Sequence, residues 1–275
     1  MDKSTDKLGA SQVIFVGCGR MGSALAEGVV NSGRVKGERV VCLDADAAKA
    51  SALAKKIGAQ TQLLEGFEGA RIWIIGVKPN DVASVIRSYA SQFESNDTVV
   101  SIAAGLRLGY LRNLLPPGVG LVRAMPNTPA LVQRGVTGIM ADDKEDLTPI
   151  RALFEGVGHV VELKAESEFD ALTGLSGSGP AYIFTAIEAL ADGGVLMGLS
   201  REVARQLAVH TVAGAAAMVE ADPSVHSAEL KDRVASPGGT TITALASLEA
   251  NGFRHALIEA VRSAALQSRA MSGEE

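Results

Sequence analysis

Three closely spaced glycines follow an apolar run near the start of the chain. The run "VIFV" at 13–16 leads into "GCGRMG" at 17–22, the order in which a strand enters the turn of a dinucleotide-binding site. Gly17 permits a tight turn, Gly19 lets the backbone approach a diphosphate, and Gly22 lets a helix pack closely on the strand. The helix that begins here offers N–H groups and a partial positive charge to phosphate. A turn without a ligand is the alternative.

An acidic residue ends the next predicted strand. "RVVCLD" at 39–44 closes with Asp44, where a carboxylate commonly meets the hydroxyls of an adenosine ribose. This charge repels a 2′-phosphate at close range, so it favours NADH, although Lys49 and Arg20 are cations that could offset it. The alternative is that Asp44 caps the following helix, a role that Asp46 fits better.

Two further segments follow predicted strands, "GVKP" at 76–79 and "AAG" at 103–105. Ligands of open α/β sheets bind beyond the carboxyl ends of the strands. We therefore expect Lys78 near the cofactor, with a solvated loop cation as the alternative. The small residues of "AAG" leave room for a ring.

Two stretches rich in small residues lie in the second half of the chain. "GLSGSGPAY" at 174–182 enters a very apolar segment, and "SPGGTT" at 236–241 is a glycine turn that opens a predicted helix. Successive N–H groups at such a turn form an anion nest. A small carboxylate is a natural ligand, because charge-assisted bonds to N–H groups are strong. Ordinary connections between helices are the alternative.

The composition predicts a globular protein with a sizeable core. Hydrophobic residues make up 47% of the 275 residues and charged residues 21%, with a net charge of −5. This balance argues against a nucleic-acid or anionic-membrane partner, since both need a basic face. The polar segment at 1–12 has no apolar signal-peptide core, and no apolar stretch predicts a membrane span. Cys18 and Cys42 form no disulfide framework, so we expect reduced thiols and a cytoplasmic location.

Short β-branched runs alternate with helical segments in the first part of the chain. This alternation predicts βαβ units and a doubly wound parallel sheet that is covered on both faces. The predicted strands cover 13–16, 39–44, 72–76, 98–103, 120–124, 137–141 and 159–163, and the early helices cover 20–32, 46–57 and 81–93.

From about residue 165 the strand pattern stops, and alanine- and leucine-rich segments predict helices at 179–198, 200–220, 225–235, 240–250 and 253–270. We therefore predict an α/β chain, with a Rossmann-type sheet domain over 1–164 and an all-α domain over 165–275. The helix at 179–198 is apolar on nearly every face, so it must be buried all round. A small bundle has limited interior for it, so we expect a second subunit to cover part of it. A monomer with one central helix is the alternative.

These motifs together resemble the pyrroline-5-carboxylate reductase family. They match in order from residue 13 to about residue 270, and "SGSGPAY" with "SPGGTT" is far more specific than a glycine fingerprint. The matching segments are "GCGRMG", "VKP", "AAG", "RAMPNTPA" (123–130), "GLSGSGPAY", "ADGGVLMGL" (191–199), "LKDRVASPGGTT" (230–241) and "LEANGFRHALIEAV" (248–261).

The resemblance implies a Rossmann domain followed by a helical dimerisation domain, in a homodimer or a larger oligomer built from dimers. It implies NADPH or NADH as cofactor, with contacts from 17–22, 43–46, 76–79 and 103–105. The expected cofactor-binding residues are Gly17, Cys18, Gly19, Arg20, Met21, Gly22, Asp44, Gly76, Val77, Lys78, Pro79, Ala103, Ala104 and Gly105. Many NADPH-using members carry a small hydroxyl residue at the position of Asp44, so the preference between the two cofactors stays open.

The resemblance also implies a substrate, 1-pyrroline-5-carboxylate, which is reduced to L-proline in the last step of proline biosynthesis. Thr241 matches the hydroxyl residue placed near the ring nitrogen, and family members often build the pocket from two chains. The substrate carboxylate is expected on Ser236, Gly238, Gly239 and Thr240, beside Val234.

The histidines, the usual proton donors, are His159, His210, His226 and His255, and they lie outside the glycine loop, "GVKP", "AAG", "GLSGSGPAY" and "SPGGTT". No spacing suggests a metal site. A cyclic imine removes the need for a strong acid, because its nitrogen can already carry the proton when hydride adds to carbon. Thr241 is then expected to orient the ring, or to donate a proton if the neutral imine binds. Lys78 is the candidate acid for carbonyl chemistry. The alternatives are a reductase of another imine, a β-hydroxyacid dehydrogenase-like enzyme, and a non-enzymatic dinucleotide sensor.

Overall fold

The computed structural model describes residues 8, 11–64, 66–142 and 145–271. The chain divides into two compact units. The first unit comprises residues 1–177 together with 264–275, and the second comprises 178–263. The predicted domain division at residues 164 and 165 stays a prediction. No sequence pattern indicated that residues 264–271 belong to the first unit.

A seven-stranded sheet forms the centre of the first unit, in the order β2-β1-β3-β4-β5-β6-β7. All strand pairs are parallel except β5 with β6, which is antiparallel. The strands are β1 Gln12–Val16, β2 Val40–Leu43, β3 Arg71–Ile75, β4 Thr98–Ser101, β5 Gly120–Met125, β6 Gly135–Ala141 and β7 Gly158–Glu162. The seven predicted strands and the doubly wound α/β fold are therefore confirmed. The prediction that the sheet is parallel throughout was wrong at β6, which runs antiparallel to β5.

The central strands are covered on both faces, as their continuous apolar character predicts. Phe15 and Ile74 are buried in the cluster on one face, and Ile14 and Trp73 in the cluster on the other. Burial on both faces fixes the strand register, because a slip of one residue would exchange the two faces.

Six α-helices of the described chain pack on this sheet, α1 Arg20–Asn31, α2 Ala47–Ile57, α3 Val82–Ser88, α4 Leu108–Arg112, α5 Thr148–Phe154 and α6 Glu168–Leu172. Gly58 ends α2 in the left-handed conformation at φ 69°, as expected of a glycine at that position. The helix predicted over 81–93 is shorter, because tight 3-10 turns at Pro79–Asp81 and Ala90–Gln92 flank α3. The sequence pattern missed α4, α5 and α6, which are too short for a clear helical period.

The second unit is helical, and the five helices predicted after residue 165 are present. They are α7 Gly179–Leu196, α8 Arg201–Ala221, α9 Ser227–Arg233, α10 Thr240–Ala250 and α11 Phe253–Met271, of which the last turns belong to the first unit. Ser200 caps α8 by accepting a hydrogen bond from the Val203 N–H at 3.4 Å. Ala191, Ala204 and Ala208 are buried where α7 packs on α8.

The apolar helix α7 is poorly covered by its own chain. Phe184 is 65% exposed and Leu196 84% exposed, and Ile183 and Leu190 are also exposed. Apolar area of this size on one helix is typical of a surface that another protein covers. Within the described part of the chain, no helix is long and apolar enough to cross a membrane.

Candidate active site

The carboxyl ends of four neighbouring parallel strands are joined by backbone hydrogen bonds. The Gly17 N–H donates to the Leu43 carbonyl at 2.8 Å, and the Gly76 N–H donates to the Val16 carbonyl at 2.8 Å. The Ile102 N–H donates to the Ile75 carbonyl at 3.1 Å. These bonds bring the segments 17–22, 43–46, 76–79 and 103–105 to one edge of the sheet, where open α/β sheets bind ligands.

The three glycines of the loop meet different surroundings. Gly17 has φ 103°, and a Cβ on it would lie 2.8 Å from the carbonyl carbon of Gly76. A Cβ on Gly22 would collide with the carbonyl oxygen of Gly17. By contrast, no atom of the described chain lies within 4 Å of a Cβ placed on Gly19. The fold itself requires Gly17 and Gly22, whereas the space above Gly19 is open to a ligand.

The N-terminus of α1 opens onto the same space. Gly19 is its N-cap residue, and no side chain of the described residues caps the helix there. Helix α1 is 12 residues long, so its dipole places a partial positive charge at this end. An uncapped helix terminus beside an open glycine fits the diphosphate of a dinucleotide.

Asp44 ties the glycine loop to the end of β2. Its Oδ2 accepts from the Cys18 N–H at 2.7 Å, and its Oδ1 accepts from the Asp46 N–H at 2.9 Å. Asp46, rather than Asp44, caps α2 by accepting from the N–H groups of Ala48 and Lys49. Each carboxylate oxygen of Asp44 retains a second acceptor position, so both anchoring the loop and binding a ribose hydroxyl are open to it.

The cations that could offset the charge of Asp44 are placed elsewhere or in solvent. The Lys49 ammonium lies 3.6 Å from Oδ2 of Asp46. Arg20, the first residue of α1, is exposed. Lys49 is therefore paired with Asp46, at the start of α2, rather than with Asp44 at the predicted ribose position.

Cys18 and Cys42 are both buried free thiols, as predicted. A hydrogen bond with Cys42, together with burial, raises the pKa of the Cys18 thiol above its ordinary value. A neutral thiol is a poor nucleophile, so Cys18 contributes its backbone and bulk to the loop rather than covalent chemistry.

The remaining predicted cofactor residues line the same edge with varied exposure. Lys78 is exposed and precedes the 3-10 turn Pro79–Asp81 as its N-cap residue. In the turn after β4, Ala103 is buried, Ala104 is exposed and Gly105 has φ 77°. Met21 and Val77 are half-buried, and Pro79 is exposed.

Two buried polar groups near this edge received no role from the sequence. Asn127 donates to the carbonyl and the hydroxyl of Ser176 at 3.0 and 3.1 Å, and its Oδ1 accepts from the Val136 N–H at 2.8 Å. These bonds hold the π-helical turn Thr173–Gly177, which lies within "GLSGSGPAY". The sequence pointed to Asn127 only through the matching segment "RAMPNTPA", which contains it.

Arg123 on β5 is the second of these groups. Its side chain is 7% exposed and forms an ion pair with Glu166, with 2.9 Å between Nη1 and Oε1. Burial lowers the pKa of the Arg123 guanidinium, and the bond to Glu166 opposes that shift. The pair therefore satisfies a charge that would be costly to bury alone.

In the second unit, the segment 236–241 forms one turn at the N-terminus of α10. Gly238 has φ 67°, and Gly239 is the N-cap residue of the helix, with no side-chain cap from the described residues. The Gly239 N–H donates to the Ser236 carbonyl at 3.1 Å, and a Cβ on Gly239 would collide with the Ser236 hydroxyl. The anion nest that the sequence predicts here stays a prediction.

The side chains of that turn are accessible. Ser236, Gly238 and Thr240 are exposed, and Gly239 and Thr241 are half-buried. Thr240 and Thr241 are the first two residues of α10. Val234, at the end of α9, is 60% exposed.

The histidines show no sign of a metal site. His226 caps α9, because its Nδ1 accepts from the Ala228 N–H at 3.1 Å. Among the residues that the structure describes, no group of three or more His, Cys, Asp or Glu residues could hold a metal ion.

Two family models match the chain. Residues 166–271 match the model described as pyrroline-5-carboxylate reductase dimerisation, and residues 12–105 match the model described as NADP oxidoreductase, coenzyme F420-dependent. The two matches fall on the helical part and on the glycine-loop part of the chain, respectively.

Curated relatives and solved structures agree with these models. Pyrroline-5-carboxylate reductases of Methanosarcina acetivorans and Arabidopsis thaliana are each 40% identical to the chain, over 93% and 95% of it and 96% and 95% of their own lengths. The structure of a pyrroline-5-carboxylate reductase of Coxiella burnetii superposes with a TM-score of 0.88 at 29% identity, covering 96% of this chain and 99% of that one. The pyrroline carboxylate reductase of Plasmodium falciparum, solved with NADP bound, gives 0.75 at 31% identity, over 95% and 98%. The protein belongs to the pyrroline-5-carboxylate reductase family.

Proposed function

We propose that the protein reduces 1-pyrroline-5-carboxylate to L-proline with hydride from NADPH or NADH, the last step of proline biosynthesis. The observation that carries this proposal is the 40% identity, over nearly the full chain, to reductases named for this substrate. Two helix N-termini without side-chain caps support it as well: the one at 236–241 would bind the substrate carboxylate, and the one at the glycine loop 17–22 would bind the dinucleotide.

The first unit supplies the residues that would hold the cofactor. N–H groups at the start of α1 would bind the diphosphate over Gly19, and Asp44 would accept from the adenosine ribose. Lys78 and the turn 103–105 lie at the same edge of the sheet and would contact the remainder of the dinucleotide. When bound, the reduced nicotinamide supplies the hydride.

The second unit supplies the residues that would hold the substrate. The N–H groups at the start of α10 and the hydroxyls of Ser236 and Thr240 would bind the carboxylate. Thr241, half-buried at the next position, would hydrogen-bond the ring nitrogen. Together these groups fix both the charge and the orientation of a flat, five-membered ring.

Orientation and charge placement would provide most of the catalysis. Hydride addition to a protonated imine gives the amine directly, so the reaction forms no alkoxide that needs a strong acid. A threonine hydroxyl is a poor acid, which favours an orienting role for Thr241. Lys78 stays the second candidate catalytic residue, because its exposed ammonium is the ionisable side chain of "GVKP".

We also propose that the protein is a homodimer, or a larger oligomer built from dimers, and that it works in the cytoplasm. The exposed apolar side chains of α7 and the dimerisation model that covers 166–271 support self-association. The two free buried cysteines support a reducing compartment.

A direct assay tests the function. On addition of the imine, the purified protein with NADPH or NADH should consume the reduced cofactor, which is followed by its near-ultraviolet absorbance, and should produce proline. A panel of other cyclic imines and of β-hydroxyacids with the oxidised cofactor separates this function from the alternatives. Faster turnover of another panel member, or no turnover of any, would exclude the proposed reaction.

The first prediction concerns the space above Gly19. Its φ of −73° suits alanine, so Gly19→Ala should change the free energy of unfolding by less than about 0.5 kcal/mol. The added methyl would occupy the diphosphate site, so we expect the dissociation constant of NADPH, measured by fluorescence titration, to rise at least about tenfold. Gly109→Ala is the matched control, because a Cβ there also meets no atom within 4 Å. Equal affinity of both variants for NADPH would contradict this site.

The second prediction concerns cofactor preference. Asp44→Ser should raise the ratio of kcat/KM for NADPH to that for NADH by roughly tenfold, because it removes the charge that repels the 2′-phosphate.

Asp44→Asn separates the effect of the charge from that of loop anchoring, since its amide oxygen can still accept from the Cys18 N–H. Glu38→Gln removes one exposed charge just before the other end of β2 and should leave the ratio unchanged. An unchanged ratio in both Asp44 variants would remove this residue as the selector.

The third prediction concerns the Thr241 hydroxyl. Thr241→Ala should lower kcat/KM for the imine roughly tenfold, a loss of about 1.4 kcal/mol, if the hydroxyl only orients the ring. Thr241→Ser retains the hydroxyl and should stay within about threefold of the parent protein. Full activity of the alanine variant in initial-rate measurements would exclude a role for this group.

A further inference from the structure

An ion pair between buried Arg123 and half-buried Glu166 lies near the turn that follows β4. Arg123 lies on β5 directly opposite Ser101, the last residue of β4. Its guanidinium pairs with Glu166 at 2.9 Å and stacks over the ring of Phe169, with 4.1 Å from the guanidinium carbon to the ring centroid. This cation is thus held on two sides, which fixes its position in the interior.

Glu166 also binds the chain on the far side of the turn. The same oxygen, Oε1, accepts from the Leu108 N–H at 2.6 Å. Leu108 is the first residue of α4, and no side chain near it in sequence caps that helix. One carboxylate oxygen therefore joins the strand β5 to the helix that begins after 103–105.

The turn has neighbours before and after its exposed residue Ala104. The Ala103 N–H donates to the Ser101 hydroxyl at 3.4 Å. A Cβ on Gly105 would lie 3.9 Å from the carbonyl oxygen of Met271 at the end of α11. That end of α11 is held in turn by Ser268, whose hydroxyl donates to the buried carboxylate of Asp170 at 2.7 Å. The entry, the apex and the exit of the turn each have a fixed neighbour.

We propose that Arg123 and Glu166 are positioning residues, which hold the turn 103–105 in the conformation that receives the cofactor. This inference rests on the proposed function, in which that turn contacts the dinucleotide. Neither side chain needs to touch the cofactor, because the effect passes through the Leu108 N–H and the neighbouring strands. Because the turn is already ordered, cofactor binding would not carry the entropy cost of ordering the turn.

Direct binding of NADPH to the full-length protein tests this proposal without turnover. Glu166→Ala frees the Leu108 N–H, and we expect its dissociation constant for NADPH to rise about tenfold. Glu166→Gln keeps an oxygen acceptor and should restore binding to within about threefold of the parent protein. A purely structural role would instead lower the melting temperature of Glu166→Ala and leave the affinity of the folded protein unchanged.

Two further variants complete the test. Glu162 lies on β7, the far edge strand, and forms an exposed ion pair with Arg151. Glu162→Ala breaks this pair and should not alter NADPH affinity. If Glu166→Ala does not fold, Arg123→Met takes its place, because it removes the partner of Glu166 and keeps an apolar chain beside Phe169. We expect it to raise the dissociation constant at least threefold.

The outcomes separate this proposal from the proposed function. Unchanged NADPH affinity in the folded variants, with imine reduction by the parent protein intact, would overturn the positioning role alone. If the parent protein binds NADPH but reduces no imine, the proposed function fails. The dissociation constants of the variants still decide the positioning role in that case.

Discussion

The backbones of Gly17 and Gly76 lie in contact, and the cofactor half of the site depends on that contact. A Cβ on Gly17 would sit 2.8 Å from the Gly76 carbonyl carbon. Bonds from Gly17 to Leu43 and from Gly76 to Val16 hold the two segments at this distance. Because there is no room for a side chain between these two backbones, the loop 17–22 packs directly against the ends of the strands. The N-terminus of α1 is therefore presented at the sheet edge, with Gly19 facing open space.

Buried and half-buried polar groups maintain the order of the segments around this edge. Asp44 binds the Cys18 N–H, Asn127 binds Ser176, and Glu166 binds both Arg123 and the Leu108 N–H. A buried polar group without a partner costs more than a hydrogen bond returns. Each of these groups therefore fixes the chain segment that satisfies it. The turns that would meet the cofactor are held by interior bonds and not by their own short sequences.

The helical unit follows a different principle. Its turn at 236–241 exposes N–H groups and hydroxyls, while α7 exposes large apolar side chains. Polar groups that stay accessible suit a small charged ligand, and apolar area left uncovered suits another protein surface. His226 caps a helix in this unit. The proposed reaction does not require a histidine acid, because a cyclic imine needs correct placement more than it needs a strong acid.

The sequence by itself determined the strands, the long helices and the glycine turns. These features follow from local periodicity, from β-branched runs and from glycine at positions such as Gly58 and Gly238, where φ is positive. It also placed the glycine turns at 17–22 and 236–241, because both motifs are contiguous. The antiparallel direction of β6 could not be predicted, since the strands predicted at 120–124 and 137–141 leave about a dozen residues between them, enough for a crossover.

Only the tertiary structure decided which distant groups meet. Glu166 lies 58 residues from Leu108 and 43 from Arg123, and no local pattern encodes such pairs. The return of 264–271 to the first unit and the bond from Asp44 to the Cys18 N–H are also long-range events. The physical reason is common to all of them. A polar side chain in the interior takes whichever partner the packed sheet and helices bring within hydrogen-bond distance, and that partner is set by the whole fold.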